Sequence, residues 1–184
     1  MKRHFLILTL FFLGGVPVWS EKAKEQKGKL EVKNGDFTDL TGLQETANGW
    51  YAGLPDGWKG LLLDASNVWK DGNGNIIGNV STMSQISPKF TAFTQEVGMV
   101  SVSSEVTLTF DVSEPWRALD FQLGAAIYDA VTDVPLAKGD FNKTGTHSVK
   151  ADIVPAGTRV KIGFWAPIGT PGIDNVKIET KSLP

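Results

Sequence analysis

Hydrophobic and polar residues alternate along most of the chain after residue 90. In the segment EVTLTFDVS, residues 105–113, the hydrophobic positions Val106, Leu108, Phe110 and Val112 are separated by polar ones. A repeat of two places successive side chains on opposite sides of a β-strand, so the pattern predicts strands with one buried and one wet face. The same alternation predicts four further strands, at 117–129, 147–154, 158–166 and 172–180.

One parity of these strands is expected to face the core. Its members are Leu119, Phe121, Leu123, Ile127, Val149, Ala151, Ile153, Val160, Ile162, Phe164, Val176 and Ile178. Turn-forming residues separate the strands, at 103–104, 114–115, 133, 139–140, 155–157 and 169–172. No amphipathic pattern of period 3.6 persists beyond two turns. Eight or nine strands without a helix predict an all-β, two-sheet antiparallel β-sandwich of the jelly-roll type.

The segment DGNGN, residues 71–75, resembles the start of a calcium loop. Ile76 stands where an EF-hand loop requires glycine, however, and Thr82 stands where its bidentate glutamate belongs. Residues typical of strands flank the segment on both sides. We therefore expect a hairpin turn between two strands.

The N-terminal residues predict export. Lys2 and Arg3 precede an apolar run at 5–16, which is too short to span a bilayer and leads to a cleavage site near Ser20. We expect a signal peptide at 1–20, a flexible lead-in at 21–28 and one domain at 29–181. The mature protein is then secreted, to the periplasm, the cell surface or the medium.

Charge and composition narrow the classes of partner. Of the 18 basic residues, Lys2 and Arg3 lie in the predicted signal, which leaves 16 against 20 acidic residues. A net charge of −4 favours neither nucleic acid nor insertion into a membrane after signal cleavage. The chain has no cysteine, which excludes disulfides and thiol chemistry. His147 is the one histidine beyond the signal, and we expect it at the surface.

Six short motifs occur in an order that resembles a known family. They are NGDF at 34–37, a following GW, FTQEV at 93–97, VTLTFDV at 106–112, VKIGFW at 160–165 and GIDNVKIE at 172–179. This order resembles the galactose-binding-like jelly rolls, which include the family 4, 9 and 22 type carbohydrate-binding modules of bacterial exported proteins. The resemblance implies a β-sandwich that binds a polysaccharide or another glycan.

The same resemblance implies a structural calcium between the N-terminal segment and the last strand. The matching acids are Asp36 and Asp174, with Asp39 as a substitute because Thr38 stands where the family often has glutamate. Asp174 also shares the parity of Val176, and an inward carboxylate requires a metal or hydrogen-bond partners. Calcium, or hydrogen bonds to backbone N–H groups in a turn, would both satisfy it.

Several aromatic and polar residues are candidates for ligand binding. Sugar rings stack their C–H faces on aromatic planes, while amide and carboxylate groups bond the hydroxyls. Trp165 lies on the parity opposite Phe164 and is expected to leave the core. The predicted ligand-binding residues are Tyr51, Trp69, Trp116, Asp120, Gln122, Tyr128 and Trp165. Trp50 and Trp58, flanked by glycine and proline, are interpreted as anchors between a long loop and the core.

These observations favour an exported, non-catalytic carbohydrate-binding module. The alternative is a structural or adhesive surface protein that uses the same fold without a sugar site. A glycan hydrolase or lyase is the third hypothesis, which the single histidine and the absence of an obvious pair of acids disfavour. The sequence indicates neither the particular glycan nor the oligomeric state.

Overall fold

The structure, a computed structural model, describes residues 29–46, 49–60, 66–70, 75–79, 93–113 and 120–184. In these residues the chain forms eleven strands in two antiparallel sheets that enclose one hydrophobic core. The predicted all-β, two-sheet sandwich is thereby confirmed. The predicted signal peptide and lead-in, Trp116 and most of the 71–75 turn lie outside the described residues. No helix in the described part is long and apolar enough to cross a membrane.

Seven strands form one sheet and four form the other. The strands of the larger sheet are β1 Gln44–Glu45, β2 Trp50–Ala52, β3 Ser66–Lys70, β4 Ile76–Asn79, β6 Ser104–Ser113, β9 Gly145–Val154 and β11 Gly172–Ser182. The strands of the smaller sheet are β5 Phe93–Met99, β7 Gln122–Asp129, β8 Pro135–Phe141 and β10 Arg159–Ile168. Their spatial orders are β1-β2-β3-β4-β11-β6-β9 and β5-β10-β7-β8.

The core lies between the two sheets and follows the predicted alternation best in β6. Val106, Leu108, Phe110 and Val112 are all buried there, and the residues between them are partly exposed. Each such side chain contributes about 1.5–3 kcal/mol on burial. The largest fully buried apolar side chains in the core are Phe37, Phe93, Phe110, Phe164, Leu108, Leu123, Ile127, Ile162 and Ile173.

Strand β7 departs from simple alternation. Five successive residues from Leu123 to Ile127 are buried, although Gly124 and Ala126 point away from the core. The strand is central in its sheet, between β10 and β8, and carries its smallest residues on that outer side. The side chain of Trp165 covers Gly124 there. The outer side of β7 is therefore buried at Gly124 by the side chain of Trp165 from the neighbouring strand, and not by a second hydrophobic core.

Two β-bulges change which side chains are buried. In β11 the pairing shifts between Asp174 and Lys177, and Asn175 has a positive φ of 50°. Ile173 rather than Asp174 is consequently in the core, so the predicted inward position of Asp174 is wrong. In β9 a shift opposite the start of β6 leaves Ile153 71% exposed, contrary to its predicted core position.

The NGDF motif places Phe37 in the core as a plug. Its ring stacks on Trp58 with centroids 5.3 Å apart and meets Phe93 edge-on at 5.9 Å. The backbone of Phe37 has a φ of 54°, a conformation that a bulky residue rarely adopts. Gly78 makes room for the ring, because a β-carbon there would lie 2.6 Å from Cζ of Phe37.

Hydrogen bonds connect the N-terminal segment to β11 of the larger sheet and to β5 of the smaller sheet. The backbone N–H of Val176 donates to the carbonyl of Gly35 at 2.9 Å, which joins the NGDF and GIDNVKIE motifs in space. The buried amide of Gln95 accepts from the N–H of Lys33 at 2.6 Å and donates to the Lys33 carbonyl at 2.9 Å. The segment is thus held by side-chain and backbone contacts without joining either sheet.

Two expectations about loops are wrong. The predicted long loop after residue 48 contains β2, and the predicted turn at 139–140 lies inside β8. The strands that flank the 71–75 segment do pair antiparallel, with Lys70 opposite Ile76. That pairing is the one expected for a hairpin.

Candidate ligand-binding face

The side of the four-stranded sheet that points away from the core, called the outer face below, brings several predicted residues together. Trp165 pairs with Gly124, and Lys161 pairs with Tyr128 on the neighbouring strand β7. Gln122, Gly124 and Tyr128 share one parity of β7, so their side chains lie on this same face. Gln122, Tyr128 and Trp165 are each partly exposed.

Trp165 lies across Gly124. A β-carbon on Gly124 would lie 2.0 Å from Cε2, 2.2 Å from Cζ2 and 2.5 Å from Nε1 of Trp165. These three atoms are too close to admit any side chain, so the indole rests directly on the backbone of β7. Trp165 is nevertheless only partly buried. An aromatic plane fixed in this way is suited to stacking on an apolar ligand surface.

A pocket lies at the end of the sheet where β7 begins, and its lining includes Asp140, the residue opposite Gly124. It has a volume of about 590 Å³ and is lined by Asp120, Phe121, Gln122, Asp140, Phe141, Asn142 and Ile168. Asp140 is the partner of Gly124 on β8, so Trp165 and Asp140 flank the same glycine from opposite sides. The pocket combines two amides and two carboxylates with apolar side chains, the composition typical of small-molecule sites.

At the opposite end of the outer face, the charged side chains form ion pairs with one another. The ammonium group of Lys161 lies 5.3 Å from the ring centroid of Tyr128 and forms an ion pair with Asp133. Burial raises the pKa of the Tyr128 phenol, and the nearby Asp133 carboxylate adds to that rise. Tyr128 therefore stays protonated at neutral pH, and one face of its ring is already occupied by a cation.

Arg159 and Glu96 form a second ion pair at this end, between β10 and β5. Both side chains are exposed, so the pair contributes little to stability. It does neutralise the Arg159 charge on the outer face. An incoming ligand therefore meets paired charges at this end and, in the pocket, two carboxylates that form no ion pair with any described residue.

Two predicted ligand-binding residues lie on the other sheet. Tyr51 is opposite Val68 and is partly buried against the core, and its predicted ligand contact stays a prediction. Trp69 pairs with Trp50, and their rings stack with centroids 5.8 Å apart on the far side of the seven-stranded sheet. Neither Tyr51 nor Trp69 can join Trp165 in one site.

The two tryptophans interpreted as anchors differ from each other. Trp58 is 4% exposed and donates from Nε1 to the carbonyl of Asn34 at 3.1 Å, as an anchor would. Trp50 is only half-buried and belongs to the stacked pair with Trp69. The GW motif therefore contributes a core residue at position 58.

The predicted calcium residues are brought together only in part. Desolvation raises the pKa of Asp174, and the carboxylates of Asp111 and Asp36 raise it further. Asp174 accepts from the backbone N–H of Asn175 at 2.7 Å, and the Asn175 side chain donates to Asp111 at 2.9 Å. In the described part of the chain no three His, Cys, Asp or Glu side chains form a group able to hold a metal. These hydrogen bonds match the turn interpretation of Asp174, and calcium binding stays a prediction.

The Asp39 side chain is engaged in a turn. Hydrogen bonds from the side chain and from the backbone N–H of Thr41, the latter at 2.9 Å, lower the pKa of Asp39. The backbone of Asp39 exchanges two hydrogen bonds with the side chain of Asn34. Asp39 therefore shapes the turn that follows NGDF, and its part in a calcium site stays a prediction.

Sequence reasoning missed Gly124, Asp140, Asn142, Lys161 and Ile168. Asp140 was taken for a turn residue because glycine precedes it, and Lys161 was an ordinary exposed position of a strand. No sequence motif marks Gly124, because its role depends on its pairing with Trp165 on a strand that is distant in the sequence. Only knowledge that β7 lies between β10 and β8 would have identified these residues.

Comparisons with known proteins find weak structural similarity. The chain resembles part of the enzymatically active domain of tailspike protein 4 of bacteriophage CBA120 (14% identity, 83% of this chain and 21% of that chain, TM-score 0.45). It also resembles part of the CBM22-1–GH10 modules of Clostridium thermocellum xylanase 10B (14% identity, 76% and 28%, TM-score 0.43) and the apo BiXyn10A CBM1 (12% identity, 76% and 92%, TM-score 0.40). No protein-family model and no curated protein matches. The functional argument therefore rests on the outer face itself.

Proposed function

We propose that the chain is an exported, non-catalytic carbohydrate-binding protein, and that the outer face of the four-stranded sheet is its binding surface. The main observation in support of the proposal is that the indole of Trp165 lies directly on the backbone of Gly124. The glycine allows the indole to lie across the strand, where the C–H face of a sugar ring can stack on it. The stack excludes water from both apolar surfaces.

Polar groups next to the indole supply the hydrogen bonds that a sugar needs. The Gln122 amide donates and accepts, while the carboxylates of Asp120 and Asp140 accept from hydroxyl groups. Strand β7 extends by about 3.4 Å per residue, so the six steps along the strand from Tyr128 to Gln122 span about 20 Å. This length accommodates several sugar units of an extended chain. A shallow, partly wet surface of this kind is expected to bind with modest affinity.

A non-catalytic role has chemical support on this face. His147 lies in β9 of the other sheet, where Nε2 is 2.8 Å from the Lys143 carbonyl oxygen, so it is not available to the outer face. A glycan hydrolase needs a carboxylic acid whose pKa burial has raised. Asp120 and Asp140 are both exposed, so their carboxylates are accessible to the hydroxyl groups of a ligand.

Glycan-array binding of the mature protein, with and without calcium, tests the proposal. We expect Trp165→Ala to abolish binding, because the stacking surface is lost. Trp69→Ala is the matched control, since it removes a partly exposed indole from the opposite sheet. Equal binding by the parent and Trp165→Ala would refute the assignment of the face. No glycan bound by a folded parent would favour the structural or adhesive alternative, and release of reducing ends would favour a hydrolase.

A further inference from the structure

The pocket beside Trp165 carries an unbalanced negative charge. Asp120 and Asp140 are both exposed and contribute two carboxylates to its lining, which otherwise consists of Gln122, Asn142 and apolar side chains. Neither carboxylate belongs to any ion pair among the described residues. Among the described residues, the lining contains no lysine or arginine.

At the Tyr128 end of the outer face, by contrast, charged side chains form ion pairs. Lys161 is paired with Asp133, and Arg159 is paired with Glu96. The charges at the Tyr128 end thus largely cancel, whereas those at the Gln122 end do not. Lys138 is exposed on the same side of β8, two residues before Asp140, but it is not among the described lining residues of the pocket. A ligand that runs along β7 from Tyr128 therefore reaches a pocket whose described charged groups are both carboxylates.

From this asymmetry we infer that the pocket is a charge-selective subsite, which accepts an uncharged sugar unit and rejects a uronic acid or another anionic substituent. The inference rests on the proposed carbohydrate-binding role of the outer face. The two carboxylates accept hydrogen bonds from sugar hydroxyls, which an uncharged unit supplies. A sugar carboxylate would bring like charges together in the pocket, and none of its described lining residues is a cation that would offset them.

The selectivity follows from Asp120 and Asp140 rather than from Trp165. The indole stacks on neutral and acidic sugar rings alike, because both present C–H faces. The carboxylates alone distinguish the two classes. Removing the charges while retaining the shape of the side chains should therefore abolish selectivity and leave stacking in place.

Affinity electrophoresis of the mature protein provides the test. The gels contain neutral xylan, mixed-linkage β-glucan or galactan, or the carboxymethylated form of each polymer. We expect neutral polymers to retard the parent at least fivefold more than their carboxymethylated forms. The double variant Asp120→Asn/Asp140→Asn should reduce this ratio to near one. The double variant Asp56→Asn/Asp152→Asn changes the net charge equally at exposed positions outside the pocket and should keep the parental ratio.

The outcomes separate the inference from the function on which it rests. Equal retardation of the parent by both forms, or an unchanged ratio in Asp120→Asn/Asp140→Asn, would overturn the charge-selective subsite while Trp165→Ala still abolished retardation. An equal loss of the ratio in both double variants would also overturn it, because net charge would then be the cause. Absence of retardation by every polymer would overturn both the subsite and the proposed function.

Discussion

The indole of Trp165 occupies the space where Gly124, its partner on the neighbouring strand, would carry a side chain. The two residues are separated by 41 positions in the chain and are joined only through the register of β7 and β10. A β-carbon at Gly124 would approach Cε2 of Trp165 to 2.0 Å. The orientation of the proposed stacking surface is therefore decided by the absence of one methyl group.

Gly124→Ala should displace the indole. Alanine is compatible with a strand and would by itself favour it slightly, since glycine is destabilising there by about 0.5–1 kcal/mol. The added carbon nevertheless forces Trp165 to turn away from β7, and we expect at least a tenfold loss of glycan affinity in a folded protein. Isothermal titration calorimetry measures the loss, and the melting temperature reports folding. Trp165→Phe, which keeps a smaller ring over an intact glycine, should retain part of the affinity. Unchanged affinity in Gly124→Ala would show that the seated indole is not the binding surface.

The pH dependence of stability should reveal the state of Asp174. Burial and the neighbouring carboxylates raise the pKa of Asp174 above its ordinary value of 3.8, so the folded state holds the proton more tightly than the unfolded state. The charged form therefore lowers the free energy of unfolding at neutral pH, and this cost disappears as pH falls through the folded-state pKa. In a metal-free protein, Asp174→Asn should raise the melting temperature at pH 7. The difference should vanish below pH 3.8, where both states are protonated.

Calcium would reverse that result. A cation bound only by the folded state raises stability, so a chelator should then lower the melting temperature of the parent. Asp174→Asn would likewise be less stable than the parent at pH 7 in calcium. A parent that is insensitive to both chelator and added calcium, with a stabilised Asp174→Asn, would remove the calcium hypothesis.

Gln95 should act as a clamp on the N-terminal segment. Its amide bonds both the N–H and the carbonyl of Lys33, and the side chain is 2% exposed. Gln95→Glu retains the acceptor but places a carboxylate against the Lys33 carbonyl. We expect a loss of about 1–3 kcal/mol in the free energy of unfolding at pH 7 from the unpaired carbonyl. Because protonation restores a donor, the loss should shrink as pH falls. Urea unfolding at pH 7 and pH 4.5 measures it, and an equal loss at both would refute the clamp.

Gly78 and Phe37 should be energetically coupled. A methyl group at position 78 would press on the Phe37 ring, and overpacking of this kind costs about 1–3 kcal/mol. Gly78→Ala should cost less once Phe37→Leu has made the site smaller. A double-mutant cycle on urea unfolding should give a coupling of at least about 0.5 kcal/mol. Additive effects would show that the contact has little energetic weight.

The sequence predicted the fold class because alternation in strands such as β6 is a local property. The prediction of burial failed where a bulge intervened. Asn175 adds a residue to β11, so Asp174 lies on the surface although it shares the parity of Val176. Asn175 is an acceptable residue for its positive φ, but asparagine is equally common in turns and does not by itself indicate a bulge.

For individual residues of the candidate site, the sequence predicted that the side chain leaves the core. It did not predict which of these residues lie together. Parity alone indicated that Trp165, Gln122 and Tyr128 leave the core, and the register places all three on one face. Parity does not say which sheet a strand joins, and Trp69 lies on the other one. The order of strands in a sheet depends on contacts between segments that are distant in the sequence. A short motif does not indicate which of those segments will pair.

The Phe37 plug also bears on the order in which the chain folds. Its pocket is built from Gly78, Phe93 and Trp58, and its segment is further held by Gln95 and Val176. None of these partners is in place until strands from both sheets have met, and closing such long loops is slow. We expect amide protons in residues 31–37 to gain protection after those of β6 in pulsed hydrogen exchange during refolding. The first of the described residues to be synthesised would then be among the last to be fixed.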